Sequence, residues 1–420
     1  MTEAIHTGVY SEIGEIEGVI LHTPGSEVEN MTPGNAERAL YSDILNLSVA
    51  EEEYRQLSRV LEKITPTFQV KDLLTETLNI DEVKESLVRK ICKTENVKLL
   101  KDLLLDLEPS ELARQIIEGV PLHKNTLTSF LSDERNALRP LHNFFFTRDA
   151  SMTVYDKVLI GKMATKVRER EALVMETIFN HSSKLKSNTV NPSKSKHHKH
   201  EISIEGGDIL VAREDILIVG TGVRTSTQGV DYIIRQLQKN KGKHSVVVQQ
   251  LPSTPESFIH LDMVFTLLDR DMCMVYDPII MQPNKYQTIL ISIEDGHVKN
   301  IEKQTNLVQC LNGLGMPLKP LYCGGRKDLW IQEREQWHSG ANFFAVGPGK
   351  VIGYDRNVYT MEEMNNNGFE IIPALDVIDN KISLNDYEKY VITISGSELA
   401  RGGGGARCMT MPFKRKRVDY

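Results

Sequence analysis

The sequence has 420 residues, which is enough for one large core or for two domains. Hydrophobic residues make up 40% and charged residues 25% of it, which is ordinary for a water-soluble globular protein. The formal net charge of −7 argues against a general nucleic-acid-binding protein, and the lack of a long apolar stretch argues against a membrane-spanning one.

The five cysteines are scattered along the chain, and no pair of them has the spacing of a zinc finger or a redox motif. They are Cys92, Cys273, Cys310, Cys323 and Cys408. This usage predicts a reducing compartment. The first residues carry no basic region followed by an apolar run, so we expect no signal peptide and a cytoplasmic location.

The N-terminal part of the chain alternates between strand and helix patterns. Residues 17–22 read as a short buried strand. Ser48 and Glu51 have the spacing of a capping box and predict the start of a helix. Its apolar residues at helical spacing are Tyr54, Leu57, Leu61 and Ile64. Residues 67–70 return as a strand, so an α/β fold is indicated from the outset.

A block of leucine-rich helices follows, from residue 79 to residue 119. One helical face is formed by Val83, Leu87 and Ile91. Ser110 can cap a further helix, and Gly119 suits its end. We predict an all-helical insertion over residues 75–140, within a single domain that spans residues 1–420.

Short strands and helices alternate again from residue 143 onward, as in the strand at 215–219 and the helix at 228–238. Residues 181–200 interrupt this pattern and are rich in Ser, Lys and His. A metal site needs ligands that converge in space rather than a local tract. We therefore predict a flexible, solvated loop over residues 181–200.

Four places along the chain bring together residues that carry chemistry. They are residues 143–149, residues 205–208, the pair His260 and Asp262, and the glycine run before Cys408. The apolar run 258–268 reads as a strand, on which residues two apart share a face. Residues 202–204 also read as a strand, and the two glycines after them indicate close approach of backbones.

Cys408 can be an inert buried residue or a nucleophile. Free cysteine is often buried, but the neighbouring arginines favour a thiolate. Carboxylates, a histidine and a cysteine together suit covalent attack on a cationic carbon. The alternative is a metal site that leaves Cys408 without a role. Its ligands are Glu205, Asp208, His260 and Asp262.

Eight motifs, taken in order, make the chain similar over nearly its whole length to the arginine deiminases, of the guanidino-group-modifying superfamily. They are residues 21–27 (LHTPGSE), 31–35 (MTPGN), 146–149 (FTRD), 168–171 (RERE), 205–208 (EGGD), 222–225 (GVRT), 260–266 (HLDMVFT) and 408–412 (CMTMP). Each motif is weak alone, but their order and spacing together are specific.

The resemblance implies an α/β fold of a particular kind, a pseudo-fivefold α/β propeller of ββαβ modules with an all-helical insertion after the first module. It implies one catalytic domain that hydrolyses L-arginine to L-citrulline and ammonia through a covalent cysteine thiouronium intermediate. It also implies that no metal or organic cofactor is needed and that the protein is a homo-oligomer.

The resemblance also assigns roles to residues of this chain. Cys408 matches the nucleophile, and His260 matches the general acid and base. Asp149 and Asp262 match the carboxylates that hold the guanidinium, and Glu205 matches the carboxylate that supports the substrate and the histidine. The matching substrate-binding residues are Asn143, Phe146, Arg168 and Arg224, of which Asn143 and the two arginines match groups that hold the substrate carboxylate.

The chain departs from some family members in the segment before the nucleophile, where they carry an arginine and a histidine. This chain has Gly403 and Arg407 there, which is typical of a second subgroup. Three alternatives remain open at this point. The enzyme could act on agmatine or a methylated arginine or transfer an amidino group, the chain could be an inactive binding protein, or it could be a metal-dependent hydrolase.

Overall fold

Five small sheets in the computed structural model repeat one pattern of strand pairing. In each, two strands are antiparallel and a third lies parallel to the second. The structure describes residues 4–197 and 201–420, apart from residues 37, 39 and 42. Since helices join many of the strands, the predicted α/β class is confirmed.

The five sheets are named here from first to fifth. Their strands are Met411–Arg415, Ile16–Leu21 and Thr67–Gln69 in the first sheet; Ser151–Val154, Lys157–Ile160 and Thr189–Val190 in the second; Ile209–Arg213, Ile216–Thr221 and Lys243–Gln250 in the third; Phe265–Asp269, Met272–Val275 and Lys319–Tyr322 in the fourth; and Phe344–Gly347, Lys350–Tyr354 and Tyr390–Ile394 in the fifth. The middle strands are apolar and buried along most of their length, as expected for strands covered on both faces.

Further strands extend this arrangement. The third sheet continues with Thr288–Glu294 and His297–Gln304, and the fifth with Glu370–Pro373. Two short sheets pair Ile5–His6 with Leu185–Lys186 and Val120–Pro121 with Asn136–Leu138.

The α-helices of the described residues are Ser26–Glu29, Pro33–Ala36, Leu47–Ile64, Val70–Leu78, Asp81–Thr94, Lys101–Leu105, Pro109–Glu118, Leu127–Phe130, Glu169–His181, Thr227–Leu237, Asp277–Ile280, Leu307–Gly313, Leu329–Trp337, Val358–Asn366 and Ala374–Ile378. Single turns of 3-10 helix lie at Lys98–Leu100, Lys166–Arg168, Pro192–Lys194, Gly206–Asp208, Glu256–Phe258, Leu261–Met263, Leu384–Asp386 and Leu399–Gly402. None of the helices in this part of the chain is both long and apolar enough to cross a membrane.

The helix Leu47–Ile64 begins two residues earlier than the capping box at Ser48 and Glu51 predicted. Asn46 is its N-cap, and its side chain accepts a hydrogen bond from the backbone N–H of Val49 at 3.4 Å. Ser48 instead donates to Asn46 at 2.8 Å, so the serine supports the cap rather than forming it. Glu51 is paired with Arg55 one turn later.

The leucine-rich helices between Val70 and Glu118 pack against the second sheet and the helix Glu169–His181. Their buried face includes the predicted residues Val83, Leu87 and Ile91. Apolar side chains of all these elements form one cluster. Gly119 ends the last helix with a φ of 90°, a backbone angle that suits glycine. The limits 75–140 of a separate insertion stay a prediction.

The segment 181–200, predicted as a flexible loop, contains regular structure where it is described. Leu185–Lys186 and Thr189–Val190 are strands, and the second of these is the third strand of the second sheet. A turn of 3-10 helix follows at Pro192–Lys194. Residues 198–200, which include part of the His- and Lys-rich tip, lie outside the described residues.

Two strands predicted near the candidate site are wrong. The run 258–268 was expected to be one strand, but Leu261–Met263 is a turn of 3-10 helix and the strand begins only at Phe265. Residues 202–204 make a single bridge, between Ile204 and Lys162, and the strand Ile209–Arg213 follows later. In both places, side chains bind backbone N–H groups that a strand would need for its ladder. The carboxylate of Asp208 binds the N–H of Leu261, and the hydroxyl of Ser226 binds the N–H of Ser203.

Candidate active site

Five turns in equivalent positions supply polar residues to one buried region. Each turn directly precedes the first strand of one of the five sheets. In order from the first to the fifth sheet, these turns carry Cys408, Asp149, Glu205 with Asp208, His260 with Asp262, and Asn342. Every one of these side chains is buried.

His260 lies between two carboxylates. Its Nε2 is 2.9 Å from Oε2 of Glu205, and its Nδ1 is 3.8 Å from Oδ1 of Asp149. Burial alone would lower the pKa of His260, but these two carboxylates raise it to about 9. The same contacts hold the pKa of each carboxyl below its usual range, although burial acts in the opposite direction. His260 is therefore an imidazolium near neutral pH.

Cys408 is 4% exposed and lies beside Asp262. Its Sγ is 3.7 Å from Oδ2 of Asp262 and 3.3 Å from Nδ2 of Asn342. Burial and the charges of Asp262 and Asp149 raise the pKa of Cys408 well above its usual value. Arg407 lowers the pKa of Cys408, as expected from the sequence, but burial and the two carboxylates outweigh it. The site without substrate therefore favours the thiol.

The Arg407 side chain binds two buried carboxylates instead of the Cys408 sulfur. Its Nε and Nη2 bind both oxygens of Glu12, at 3.0 and 3.1 Å, and its Nη1 binds Asp262 at 2.8 Å. Arg407 and Asp262 are 1% and 0% exposed, respectively. This chain of charges fixes the carboxylate of Asp262 next to Cys408 and offsets much of the positive charge of Arg407.

Arg168 holds Asp149 in a similar way. Its Nη1 is 2.6 Å from Oδ2 of Asp149, and its Nε and Nη2 bind Glu171. Nη2 also reaches the backbone oxygens of Asn143 at 3.4 Å and Phe146 at 3.3 Å. Most of the N–H donors of the Arg168 guanidinium are therefore already hydrogen-bonded within the protein.

Arg224 is in a different situation. Its Nη1 lies 3.7 Å from Oε2 of Glu205 and makes no hydrogen bond among the described residues. The side chain also lines a cavity beside the site. The other residues of this cavity are Leu40, Ser257, Ile259, Trp337, Ala400, Arg401, Gly402 and Gly403. Arg224 is therefore placed where an anionic group entering the site would meet it.

Glycines allow the site to close this tightly. A Cβ on Gly207 would lie 2.6 Å from Cγ of His260, and one on Gly405 would lie 2.6 Å from Oδ1 of Asn342. The close backbone approach expected from the two glycines at 206 and 207 is therefore observed. The Phe146 ring packs in the same way beneath Gly404, where a Cβ would lie 2.5 Å from Cε1.

A metal ion fits these residues poorly. Asp149, Glu205 and His260 each offer a ligand atom within 4.8 Å of the others. However, the ring nitrogens of His260 already face these carboxylates, with Nε2 2.9 Å from Glu205, so a metal ion would have to break that contact and displace a proton. The four-residue set considered from the sequence is not brought together as ligands, because Asp262 is bound to Arg407 and Oδ1 of Asp208 accepts from the Leu261 N–H at 2.9 Å.

Four residues of the site were missed from the sequence: Glu12, Glu171, Arg407 as a partner of Asp262, and Asn342. Glu171 lies in the RERE motif, so its spacing of three from Arg168 on a helix could have indicated the pair. Glu12 and Asn342 belong to no recognised motif, and their partners lie 395 and 66 positions away along the chain.

Comparisons with known proteins agree on one family. The family model described as arginine deiminase matches residues 37–415. A curated arginine deiminase from Limosilactobacillus fermentum is 32% identical over 438 residues, covering 99% of this chain and 100% of the relative. One from Oenococcus oeni is 30% identical over 435 residues and covers 100% of both.

Solved structures with a similar fold have much lower sequence identity. An amidinotransferase from the saxitoxin biosynthetic pathway of Microseira wollei has a TM-score of 0.55 at 11% identity and covers 98% of both chains. The N-terminal domain of a cyanobacterial arginine dihydrolase has a TM-score of 0.53 at 14% identity, covering 95% of this chain and 98% of that one. These two similarities concern the fold alone.

Proposed function

The chain belongs to the arginine deiminase family, and from this premise we propose that it hydrolyses L-arginine to L-citrulline and ammonia through a covalent cysteine intermediate. One observation carries the proposal. A cysteine thiol lies 3.7 Å from a fixed carboxylate, in the same buried region as an imidazolium held by two further carboxylates. Such a site can bind a cation, attack it and protonate its leaving group.

We also propose that the five sheets surround a pseudo-fivefold axis as a propeller of ββαβ modules. Two features support this arrangement. The five sheets share one pattern of strand pairing, and the turns before their first strands all bring side chains to one place. The first sheet would close the ring, because it joins Met411–Arg415 to Ile16–Leu21.

The first step of the proposed reaction is recognition of the guanidinium. Asp149 and Asp262 accept charge-assisted hydrogen bonds from its nitrogens. Its positive charge offsets the two carboxylates that raise the pKa of Cys408, so binding of substrate promotes loss of the thiol proton to solvent. The nucleophile is thus activated by the substrate that it attacks.

The covalent steps follow from the protonation states of the site. The Cys408 sulfur attacks the guanidinium carbon, and His260 donates its proton to the departing nitrogen, which leaves as ammonia. The product of this step is an S-linked thiouronium. His260, now neutral, removes a proton from water, and the resulting hydroxide adds to the same carbon. The C–S bond breaks, citrulline is released, and the sulfur regains its proton. Glu205 keeps the imidazole oriented throughout.

The substrate's α-carboxylate is proposed to bind Arg224 together with Asn143, and Phe146 is proposed as a further substrate-binding residue. Nη1 of Arg224 has no hydrogen-bond partner among the described residues and can receive a carboxylate. Arg168, the other arginine assigned to this role by resemblance, is occupied by Asp149 and Glu171. Its contribution is proposed to be mainly that of positioning Asp149.

We further propose that the protein acts in the cytoplasm, as a homo-oligomer, without a metal or organic cofactor. All five cysteines are buried and free, which agrees with a reducing compartment. We expect full activity in a strong chelator, because no step of the proposed reaction uses a metal.

The test of the reaction is an end-point assay of the purified protein with L-arginine, agmatine and dimethylarginine, scoring citrulline and ammonia. We expect equal amounts of citrulline and ammonia from L-arginine and complete loss of turnover in Cys408→Ala, because the nucleophile is removed while a small buried residue remains. Circular dichroism of the variant serves as the control for folding.

Citrulline formed by Cys408→Ala at the wild-type rate would contradict the covalent mechanism. Turnover of agmatine or dimethylarginine with none of L-arginine would keep the mechanism and change the substrate. A folded protein inactive on all three compounds would instead favour a binding protein.

A further inference from the structure

Asn342 occupies the one equivalent turn to which neither the motifs nor the proposed mechanism assigns a role. It directly precedes the strand Phe344–Gly347 of the fifth sheet, in the position that Cys408, Asp149, Glu205 and His260 take in the other four. The side chain is 1% exposed. A polar amide buried at this place needs partners, and it finds them in the nucleophile's own segment.

The orientation of the Asn342 amide follows from its surroundings. Its Oδ1 faces two backbone donors, the N–H of Arg407 at 2.9 Å and the N–H of Cys408 at 3.3 Å. Only an oxygen can accept from both, so the opposite end of the amide must be the NH2 group. That group has two hydrogens. Three acceptors face that group: the backbone oxygen of Asp262 at 3.1 Å, Sγ of Cys408 at 3.3 Å and, farther away at 3.7 Å, Sδ of Met263. The two shorter contacts use both hydrogens.

We propose that Asn342 is a catalytic residue that donates a hydrogen bond to the Cys408 sulfur and stabilises its thiolate form. This inference rests on the proposed function, since it concerns the same nucleophile. A thiolate accepts hydrogen bonds more strongly than a thiol, so a fixed N–H donor favours the charged form. The same bond stabilises the sulfur as the thiouronium breaks down and thiolate leaves.

The rest of the site makes such a donor necessary. The charges nearest to Sγ are the carboxylates of Asp262 and Asp149, which oppose ionisation of the thiol. The guanidinium of Arg407 is directed away to Glu12 and Asp262. Among the described residues, Asn342 supplies the side-chain N–H group that hydrogen-bonds to the sulfur.

The glycine run before Cys408 is explained by the same contact. A Cβ at position 405 would lie 2.6 Å from Oδ1 and 2.8 Å from Cβ of Asn342. Glycine there lets the amide reach both the backbone and the sulfur of the next turn. The glycine at position 405, just before the nucleophile, therefore leaves the space that the Asn342 side chain occupies.

The test compares two variants of Asn342. Asn342→Ser carries the test, because it is uncharged and too short to reach Sγ, so it removes the N–H donor without adding a charge. Asn342→Asp keeps an oxygen for the two backbone N–H groups but offers no N–H to sulfur, and its added carboxylate raises the pKa of the thiol as well. The first readout is the pH profile of Cys408 alkylation by iodoacetamide, with the modified site identified by peptide mass spectrometry. The second is kcat and KM for L-arginine.

We expect the alkylation profile of Asn342→Ser to move by about one pH unit to higher pH and its kcat to fall about 10- to 100-fold, as for loss of a hydrogen bond to a charged group. The profile of Asn342→Asp should move further, because its carboxylate also opposes ionisation of the thiol. KM should change less than about threefold, because the amide touches the nucleophile and not the proposed position of the substrate. The midpoint of the alkylation profile reports the pKa of the thiol. A change in the accessibility of Cys408 alters only the alkylation rate reached at high pH.

The matched control is Tyr354→Phe. The Tyr354 hydroxyl donates to the backbone oxygen of Gly404 at 3.0 Å, so it anchors the same glycine run without contacting the sulfur. Its alkylation profile should coincide with that of the wild type. An equal displacement in Tyr354→Phe, or an unmoved profile in folded Asn342 variants, would overturn the proposal.

Failure of this inference differs from failure of the proposed function. If the wild type makes citrulline, Cys408→Ala does not, and the Asn342 profile is unmoved, only the role of Asn342 is wrong. If the wild type makes no citrulline, the alkylation profile still measures whether Asn342 lowers the pKa of Cys408.

Discussion

Arg168 and Arg407 each hold a carboxylate that the proposed mechanism needs for binding the guanidinium. Arg168 binds Asp149, and Arg407 binds Asp262. Burying a charge is unfavourable unless it is paired and hydrogen-bonded, and removing one partner leaves an uncompensated charge. These arginines therefore set the position of the two acids while the site is empty. The substrate's own guanidinium enters between groups that are already ordered.

The two arginines near the substrate are expected to respond differently to substitution. Arg224→Ala should weaken binding of L-arginine about 10- to 100-fold and leave binding of agmatine, which lacks the carboxylate, nearly unchanged. Arg168→Ala should weaken both ligands by similar factors, because Asp149 loses its partner. Calorimetry in the Cys408→Ala background measures both affinities without turnover.

Circular dichroism of each double variant provides the control for folding. A loss confined to L-arginine in Arg168→Ala would restore the role that resemblance alone assigns to that residue, direct binding of the carboxylate. Equal losses for both ligands in Arg224→Ala would contradict its placement at the carboxylate.

His260 should titrate far above the usual range of histidine. We expect a pKa of about 9 in the free wild-type protein and a lower value in Glu205→Gln, which keeps the raising effect of Asp149 but removes the charge hydrogen-bonded to Nε2. NMR of histidine-labelled protein measures both, and the spectrum of a His260→Gln variant assigns the signal. A wild-type pKa near 6.5 would contradict the imidazolium state.

The same shift predicts how stability depends on pH. The folded-state pKa of His260 lies above its unfolded value, so its protonated form stabilises the fold below about pH 6.5, and this contribution is lost as the pH rises through about 9. The difference in the free energy of unfolding between the wild type and Glu205→Gln should therefore shrink across this interval.

At the scale of elements, the helix Leu47–Ile64 anchors the segment that leads to the nucleophile. The carboxylate of Glu53, buried on this helix, accepts hydrogen bonds from the backbone N–H groups of Ser397, Glu398 and Leu399. The glycine run that follows has little side-chain packing of its own. A long, well-packed helix thus gives rigidity to a segment whose own composition would leave it loose.

The sequence predicted helices more accurately than it predicted the turns of the site. The helix around Leu57 and Leu61 was located to within about a turn because its apolar spacing is a local signal. The strand expected across His260 and Asp262 is wrong because the apolar run hides a 3-10 turn. Hydrogen bonds to a carboxylate remote in the sequence fix that turn, and no local pattern reports them.

Part of the candidate site could also be predicted from local sequence patterns. Cys408, His260 and the acids lie in motifs that can be recognised as short strings. Asn342 lies in no such string, and its position beside the sulfur depends on pairing of strands in a different sheet. The pairing of Arg407 with Glu12 joins the two ends of the chain and could not be inferred from spacing.

For the whole molecule, the two ends of the chain meet in the first sheet. Met411–Arg415 pairs antiparallel with Ile16–Leu21, and Gly8 bridges to Lys414. The turn that carries Cys408 directly precedes this strand. Association of the chain ends and placement of the nucleophile are therefore one event, so the site cannot form before the last strand is in place.

Phe413, at the centre of that last strand, is expected to support the whole fold. It is fully buried, and its ring packs against Phe68 with centroids 5.7 Å apart. Phe413→Ala should lower the free energy of unfolding by about 3–5 kcal/mol through the cavity that it leaves. If residues 1–420 form a single domain, this substitution should lower the urea midpoint of unfolding by the same amount whether circular dichroism or tryptophan fluorescence is recorded.

The two tryptophans make this comparison sharp, because both lie in the helix Leu329–Trp337, which precedes the fifth sheet. They report on a region far along the chain from Phe413. Lys414→Ala is the matched control in the same strand, since its side chain is 37% exposed and its pairing with Glu17 at 3.7 Å should contribute no more than about 1 kcal/mol. A fluorescence transition that stays at its wild-type midpoint in Phe413→Ala, while circular dichroism shifts, would show that the fifth sheet unfolds independently and that the chain is more than one domain.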